Sequence, residues 1–280
     1  NAASCIIPPM PEFDAVLFSD LHLSPASEQR NRLFDAFVDR VEGTPEVACL
    51  GDLTEYWIGF PQLEDPHGRH VIDQLARLAK SARRAIFVGG NRDFLMRADA
   101  RRVGYKAFKN VYEGEFGGRR VALEHGDRFC SRDRKYQMFR LWFQSAPWWV
   151  LQYTIGARGG HKIAQFFRRK STGETARKSP SMFGIQPEPL QRLIRRGAEI
   201  VVCGHVHTPF VREYAAGERK GRLLVMSDWR SDGAVVCVVK NGEFSLCKFD
   251  GERFAPFDAP TEQPDKLPAM YNVAETSQKA

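Results

Sequence analysis

The 280-residue chain lacks several features that would place it in other classes of protein. No apolar run approaches the ~20 residues that a membrane-spanning helix needs. The first ten residues contain neither a basic segment nor an apolar core, so no signal peptide is expected. The six cysteines include no C-x-x-C pair, and three of them lie in or beside apolar runs. The sequence therefore predicts a reducing compartment and no disulfide framework.

The composition is typical of a soluble globular protein, with 43% apolar residues and a mean hydropathy of −0.40. The length suits one large domain, or a domain with an insertion. We predict a domain over 13–253, an inserted helical lid over 130–190 and a C-terminal tail or extension over 254–280. The net charge of +7 favours a polyanionic partner, and much of this excess lies in the basic stretch 158–178.

Short apolar runs alternate with helical patterns along the first two thirds of the chain. Apolar residues recur at helical spacing over 33–41 and 71–79, and a third helix is predicted over 187–196. This alternation predicts a layered α/β domain. After His207 four short strands are predicted, with a hairpin turn at Asn241-Gly242. We expect these four strands to form a second, more antiparallel sheet of a sandwich.

Five short stretches rich in carboxylate, amide and imidazole groups each follow one of the apolar runs. They contain four of the seven histidines of the chain. Because active sites of open α/β sheets lie at the carboxyl ends of strands, these stretches are expected to meet. In the D-x-H and H-x-H stretches, an extended chain would place both side chains on one face. The stretches are Asp20-Leu21-His22, Gly51-Asp52, Gly90-Asn91-Arg92-Asp93, His125-Gly126-Asp127 and Gly204-His205-Val206-His207.

The mixed donor set indicates a catalytic centre for two divalent cations. Oxygen ligands suit hard cations, and imidazole suits Mn, Fe, Co, Ni and Zn. Each residue also has an ordinary structural interpretation: an Asp after Gly as a turn residue, Asn91 as a left-handed turn residue, or His125 as a core histidine. These interpretations would all have to hold together, so a metal centre is favoured. The candidate ligands are Asp20, His22, Asp52, Asn91, His125, His205 and His207.

The order D-x-H, G-D, G-N-[HR]-D, H-G, G-H-x-H resembles the calcineurin-like metallophosphoesterases. The third motif usually contains His, but here it contains Arg92. With arginine at this place, the sequence resembles one branch of the family, the UDP-2,3-diacylglucosamine diphosphatases of lipid A synthesis. The resemblance runs from about Ala15 to Phe249. It implies a sandwich of two mixed β-sheets flanked by helices, with an inserted helical lid over the site.

The resemblance also implies how the ligands divide between two cations, commonly manganese. One cation would bind Asp20, His22, Asp52 and His207, and the other Asp52, Asn91, His125 and His205. The implied reaction is attack of a metal-activated water on the α-phosphorus of UDP-2,3-diacylglucosamine. It releases UMP and 2,3-diacylglucosamine 1-phosphate.

The same resemblance implies further roles and a location. The implied catalytic residues are Asp52, Asn91 and Arg92. The implied partners are a lipid-linked nucleotide and the cytoplasmic surface of the inner membrane, and nucleic acid is not expected. Two positions depart from the branch: it usually has Asn where Thr175 stands, and an acid where Phe60 stands. The implied substrate contacts are Arg92, Asp133, Ser171, Thr175, Lys178 and His205.

Three functions remain open from the sequence. The first is the lipid A diphosphatase, favoured because Arg92 occurs together with the aromatic and basic insertion. The second is a related metallophosphoesterase that acts on another nucleotide diphosphate, a phosphomonoester or a phosphodiester, which the substitution at Phe60 would suit. The third is a basic nucleic-acid-binding or scaffold protein with a relic site, although each ligand position of the motif is retained. The insertion itself could also be a helical hairpin packed on the core.

Overall fold

The computed structural model describes residues 12–131, 138 and 184–262. The α-helices whose bounds lie in these residues are α1 (Glu28–Val41), α2 (Pro66–Ser81), α3 (Arg97–Arg102) and α4 (Pro187–Arg195), and a short 3-10 helix covers Phe60–Glu64. The strands of the same residues are β1 (Ala15–Phe18), β2 (Glu46–Cys49), β3 (Arg84–Val88), β4 (Lys106–Phe108), β5 (Val111–Phe116), β6 (Arg119–Glu124), β7 (Ile200–Cys203), β8 (Phe210–Ala216), β9 (Arg219–Val225), β10 (Ala234–Lys240), β11 (Glu243–Phe249) and β12 (Phe254–Pro256).

The strands form two mixed sheets that pack face to face. One has seven strands in the order β12-β11-β10-β1-β2-β3-β4, and the other has five in the order β5-β6-β7-β9-β8. Strands β1 to β4 run parallel, as do β6, β7 and β9, while β10 lies antiparallel to β1. The predicted α/β sandwich of two mixed sheets is confirmed. Among the described residues, no helix combines the length and the apolar character needed to cross a membrane.

Strand β1 explains why the apolar runs are continuous and do not alternate with polar residues. Leu17 faces the second sheet and packs with residues such as Leu123 and Val202. Phe18 points the other way, where its ring lies 5.2 Å from that of Phe37 on α1. Successive side chains of a strand alternate between faces, so a strand covered on both faces must be apolar throughout. Helices α1 and α2 cover the outer face of the larger sheet, and α4 covers that of the smaller one.

The four strands predicted after His207 do not form one sheet together, so this expectation was wrong. Strands β8 and β9 join the smaller sheet, whereas β10 and β11 extend the larger one beside β1. The hairpin between β10 and β11 is present, with positive φ at Asn241 and Gly242. Strand β10 is buried through its first six residues, so it suits a central position in a sheet covered on both sides.

Elements whose local pattern is weak, namely α3, β4 and β5, could not be predicted from the sequence. The chain from 254 onward was predicted to be a tail or an extension. In the structure Phe254–Pro256 forms the edge strand β12 on β11. The ring of Phe254 lies 4.9 Å from that of Phe249 and 5.1 Å from that of Phe13, so aromatic packing holds this strand. Most of the predicted insertion over 130–190 lies outside the described residues.

Candidate metal centre

The predicted ligands all follow strands that end at the same edge of the sandwich. Asp20 and His22 come after β1, Asp52 after β2 and Asn91 after β3. The smaller sheet contributes three histidines after β6 and β7, namely His125, His205 and His207. The loops that follow these five strands contact one another across the two sheets. The predicted convergence of the five stretches is therefore seen in the structure.

The D-x-H and H-x-H spacing suggested an extended backbone at these ligands. In the structure the backbone there is not extended. Among the described residues, six that are not glycine have positive φ, and five of these are candidate ligands. Such a conformation costs about 1–3 kcal/mol per residue and persists only when surrounding structure enforces it. Tight left-handed turns, and not extended chain, therefore aim the side chains inward. The φ values are 57° at Asp20, 50° at His22, 51° at Asp52, 69° at His205 and 58° at His207.

Two glycines of the motifs are required because ligand carboxylates pack directly against their backbone. A Cβ atom on Gly90 would overlap Oδ1 of Asp52, and one on Gly204 would overlap Oδ2 of Asp20. Any larger residue would displace the carboxylate. The glycines of G-N-R-D and G-H-V-H thus set the positions of Asp52 and Asp20, which lie in other stretches.

The first cluster consists of Asp20, His22 and His207, all buried. Nε2 of His207 lies 3.2 Å from Oδ1 of Asp20 and 3.3 Å from Nε2 of His22. The other carboxylate oxygen of Asp20, Oδ2, accepts hydrogen bonds from Oγ of Ser19 at 2.6 Å and from the backbone N of His205 at 2.9 Å. These two bonds fix the carboxylate so that Oδ1 faces the two imidazoles.

The second cluster consists of Asn91, His125 and His205. Oδ1 of Asn91 lies 2.9 Å from Nε2 of His125 and 3.1 Å from Nδ1 of His205, and the two ring nitrogens lie 3.2 Å apart. Ligand atoms ~2.1 Å from one octahedral ion lie ~3 Å apart at adjacent positions, which matches these distances. Nδ1 of His125 donates a hydrogen bond to the carbonyl of Leu50 at 2.8 Å, so in the neutral ring it is Nε2 that has the lone pair a metal needs.

Asp52 lies between the two clusters. Its Oδ1 is 3.6 Å from Nε2 of His125, and its Oδ2 is 4.0 Å from Nδ1 of His22. Each carboxylate oxygen therefore faces one cluster. This is the arrangement that a carboxylate needs to bridge two cations, since each oxygen offers a lone pair to a different ion.

The electrostatics of the buried residues also fit bound cations. Oδ1 of Asp20 and Nδ1 of His22 are buried without a hydrogen-bond partner, which is costly for polar atoms. Burial would lower the pKa of His125, but the carboxylates of Asp52 and Asp20 outweigh it and raise this pKa to about 9. Burial and the charge of His125 lower the pKa of the adjacent His205 to about 3. The carboxylates thus attract positive charge to the point where the ligand atoms converge.

Arg92 lies at the rim of the centre, with 28% of its side chain exposed. Its Nη1 donates a hydrogen bond to Oε2 of Glu55 at 2.8 Å, and its Nε lies 3.5 Å from Oδ2 of Asp52. Its backbone N donates to Oδ1 of Asp52 at 2.9 Å. The guanidinium is therefore beside the residue that lies between the two clusters.

Three residues in or beside the motifs have contacts to which the sequence analysis assigned no role: Ser19, Glu55 and Asp93. Oδ2 of Asp93 accepts from the backbone N of Leu53 at 2.7 Å, and its Oδ1 accepts from that of Gly90 at 3.0 Å. It therefore ties two ligand loops together and is not itself in a cluster. Burial and the charge of Asp52 raise the pKa of Asp93 to about 7. For all three residues, the signal available in the sequence was their position in or beside the ligand motifs.

The predicted substrate contacts are only partly within the described residues. Arg92 and His205 lie at the centre, as described above. Asp133, Ser171, Thr175 and Lys178 lie outside the described residues, and their roles stay predictions. The same holds for the predicted lid as a whole.

Comparison with known proteins agrees with this geometry. A family model for calcineurin-like phosphoesterases matches residues 14–209. Three similar proteins are named UDP-2,3-diacylglucosamine hydrolase. That of Pseudomonas fluorescens is 31% identical over 247 residues, which cover 86% of this chain and 96% of the relative. That of Pseudomonas aeruginosa is 31% identical, with 81% and 96% covered, and that of Ralstonia nicotianae is 33% identical, with 83% and 90% covered.

The family model matches a range that includes all five ligand stretches, and the relatives are covered over nearly their whole length. The chain is therefore a metal-dependent hydrolase, and it belongs to the calcineurin-like phosphoesterase family, in the branch of the relatives named UDP-2,3-diacylglucosamine hydrolase.

Proposed function

We propose that the protein hydrolyses UDP-2,3-diacylglucosamine at its α-phosphorus and gives UMP and 2,3-diacylglucosamine 1-phosphate. The observation that carries this proposal is Arg92, whose guanidinium lies at the rim of the centre beside Asp52. A planar guanidinium can hold two oxygens of a diphosphate at once, which suits this substrate better than a simple monoester. The names of the relatives, at about 30% identity over most of the chain, support the same substrate.

Two divalent cations, with manganese the expected one, would bind at the two clusters. Asp20, His22 and His207 would hold one, Asn91, His125 and His205 the other, and Asp52 would bridge them. When bound, such a pair acts as a Lewis acid on a phosphoryl oxygen and lowers the pKa of the attacking water. Asn91 provides a neutral oxygen, so the pair keeps more of its positive charge for the diphosphate than it would with a third carboxylate.

Arg92 would hold non-bridging oxygens of the diphosphate and oppose the negative charge that develops on them. The water oxygen forms a new bond to the α-phosphorus, and the bond from this phosphorus to the bridging oxygen breaks. The bridging oxygen leaves with the sugar 1-phosphate. Because a phosphate monoester is a good leaving group, a histidine that protonates it is less needed, which is consistent with arginine at this position.

A panel of substrates tests the proposal. We expect Mn²⁺-loaded protein to release UMP from UDP-2,3-diacylglucosamine and to cleave bis-p-nitrophenyl phosphate and single-stranded DNA far more slowly. The variant Asp52→Asn is the matched control, because it should lose turnover of every substrate. Turnover of generic diesters or DNA with none of the lipid would refute the proposed substrate and favour the related phosphoesterase.

We also propose that the protein works at the cytoplasmic surface of the inner membrane, since its proposed substrate carries two acyl chains. The aromatic and basic residues of the stretch 142–178 suit an anionic lipid surface by composition. Sedimentation with vesicles of phosphatidylglycerol and phosphatidylethanolamine measures how much of the protein binds to such a surface. We expect binding that weakens as salt is raised, and no binding at low salt would contradict the proposal.

A further inference from the structure

Glu55 is a buried glutamate with no role in the function proposed above. It lies three residues after Asp52, in the loop that follows β2, and only 9% of the residue is exposed. Its Oε2 accepts a hydrogen bond from Nη1 of Arg92 at 2.8 Å. The Nε atom of the same guanidinium lies 3.5 Å from Oδ2 of Asp52. The guanidinium thus has two carboxylate neighbours, Asp52 beside its Nε atom and Glu55 at its Nη1 atom.

The backbone around this pair is fixed by hydrogen bonds to neighbouring loops. The N–H of Glu55 donates to the carbonyl of Leu23 at 3.0 Å, which ties it to the loop after β1. The N–H of Trp57 donates to the carbonyl of Arg92 at 3.2 Å. Glu55 is therefore held on a rigid loop at both ends, as a residue must be in order to aim another side chain.

Charge explains why an arginine in this place needs such a partner. The Asp52 carboxylate beside Arg92 is the one that would bridge two divalent cations, and a guanidinium near two cations is repelled by them. A second buried carboxylate that pairs with the guanidinium, as Glu55 does, offsets this repulsion, and its charge is weakly screened because it is removed from solvent. Without it, a long flexible side chain would turn outward toward water.

We propose that Glu55 is the positioning residue for Arg92: its carboxylate holds the guanidinium at the rim of the metal centre against the repulsion of the cations. This inference rests on the proposed function, because it assigns to Arg92 a role in binding the diphosphate. Glu55 is not among the residues that would hold the cations, so its effect would pass through Arg92.

A double-mutant cycle tests this dependence. We expect Glu55→Gln, which keeps the shape and removes the charge, to lower kcat/KM about 10- to 100-fold, mainly through kcat. In an Arg92→Ala background, the same substitution should change kcat/KM by less than about 3-fold, because the residue that it positions is gone. Effects that multiply in the double variant would overturn the proposal.

A second measurement does not depend on turnover. Calorimetric titration of Mn²⁺-loaded protein with UMP should show weaker binding in Glu55→Gln than in the wild type, and no further loss when Arg92→Ala is added. Equal UMP affinity in the wild type and Glu55→Gln would contradict a positioning role. The matched control is Glu46→Gln, a buried glutamate that pairs with Arg83 at 2.9 Å at the start of β2 and should leave both measurements unchanged.

The two proposals fail separately. If the wild type does not cleave the lipid substrate, the proposed function is wrong, and the cycle is then run on bis-p-nitrophenyl phosphate. If the wild type cleaves the lipid but Glu55→Gln retains full kcat/KM, only the positioning role is wrong.

Discussion

The two ends of strand β2 both bury a carboxylate beside arginine, yet they differ in how the charge is balanced. At its start, Glu46 accepts from the backbone N of Gly117 at 2.7 Å and pairs with Arg83 at 2.9 Å and Arg84 at 3.5 Å. This carboxylate has two guanidinium partners, and the contacts are complete within the protein. Its role is to join the two sheets.

Beyond the end of the same strand the ratio of carboxylates to arginines is reversed. Arg92 lies beside both Asp52 and Glu55, while Asp20 faces the imidazole of His207 instead of a guanidinium. Buried polar atoms of Asp20 and His22 have no hydrogen-bond partner, and the backbone at the ligands is left-handed. The comparison indicates that the contacts at the start of β2 stabilise the fold. Beyond the end of β2, the ligand backbone is strained and the carboxylates have fewer positively charged partners, which favours the binding of cations. Four substitutions test this contrast.

The largest effect is expected at Asp52. Asp52→Asn removes the charge and one of the two oxygens that face the clusters, so the pair of cations loses its bridge. We expect kcat to fall on the order of 10³-fold or more. Metal content measured by mass spectrometry should fall from two ions to one or fewer. Two retained ions with near-normal kcat would show that Asp52 does not bridge.

Arg92→Ala should be the next most damaging. The charge that opposes the transition state is lost, so kcat on the diphosphate should fall about 10²- to 10³-fold. Because Arg92 is not a ligand in either cluster, the number of bound metal ions should stay the same. Metal loss equal to that of Asp52→Asn would instead place Arg92 among the residues that maintain the centre.

Ser19→Ala tests whether orientation of Asp20 matters. The hydroxyl donates to Oδ2 of Asp20 at 2.6 Å and so directs Oδ1 toward the imidazoles. Metal affinity should fall about 10- to 100-fold, as it does when an outer hydrogen bond to a ligand is removed. Titration of metal-free protein with Mn²⁺ measures this, and activity should recover at saturating Mn²⁺. Failure to recover would mean that the hydroxyl acts in the reaction itself.

Glu46→Gln should have the smallest effect on activity and a measurable one on stability. The substitution weakens a charge-assisted hydrogen bond to Gly117 and two ion pairs, whose arginine side chains are 74% exposed at Arg83 and 39% exposed at Arg84. We therefore expect the free energy of unfolding to fall by about 1 kcal/mol. Urea denaturation measures this, and kcat should be unchanged. A large fall in kcat without loss of stability would remove the distinction between the two ends of β2.

Much of the candidate site could be predicted from the sequence because its residues are grouped by local pattern. An apolar run followed by a polar residue marks a strand end, and five such places in the right order identified the family. Residues such as Glu55 and Ser19 could not be assigned in this way. Their roles depend on which atoms of Arg92 and Asp20 they contact. The contact of Glu55 with Arg92 joins two separate loops, and that of Ser19 depends on which oxygen of the neighbouring Asp20 its hydroxyl reaches.

The sequence by itself determined the central strands, three of the helices, the family and which side chains gather at one edge of the sandwich. Only the tertiary structure decided how they are arranged there. It divided the last hairpins between two sheets, because the apolar pattern of β10 suits any buried strand and does not specify its neighbour. It also imposed left-handed turns on five ligands, since packing against Gly90, Gly204 and neighbouring loops offsets a backbone cost that no local pattern predicts.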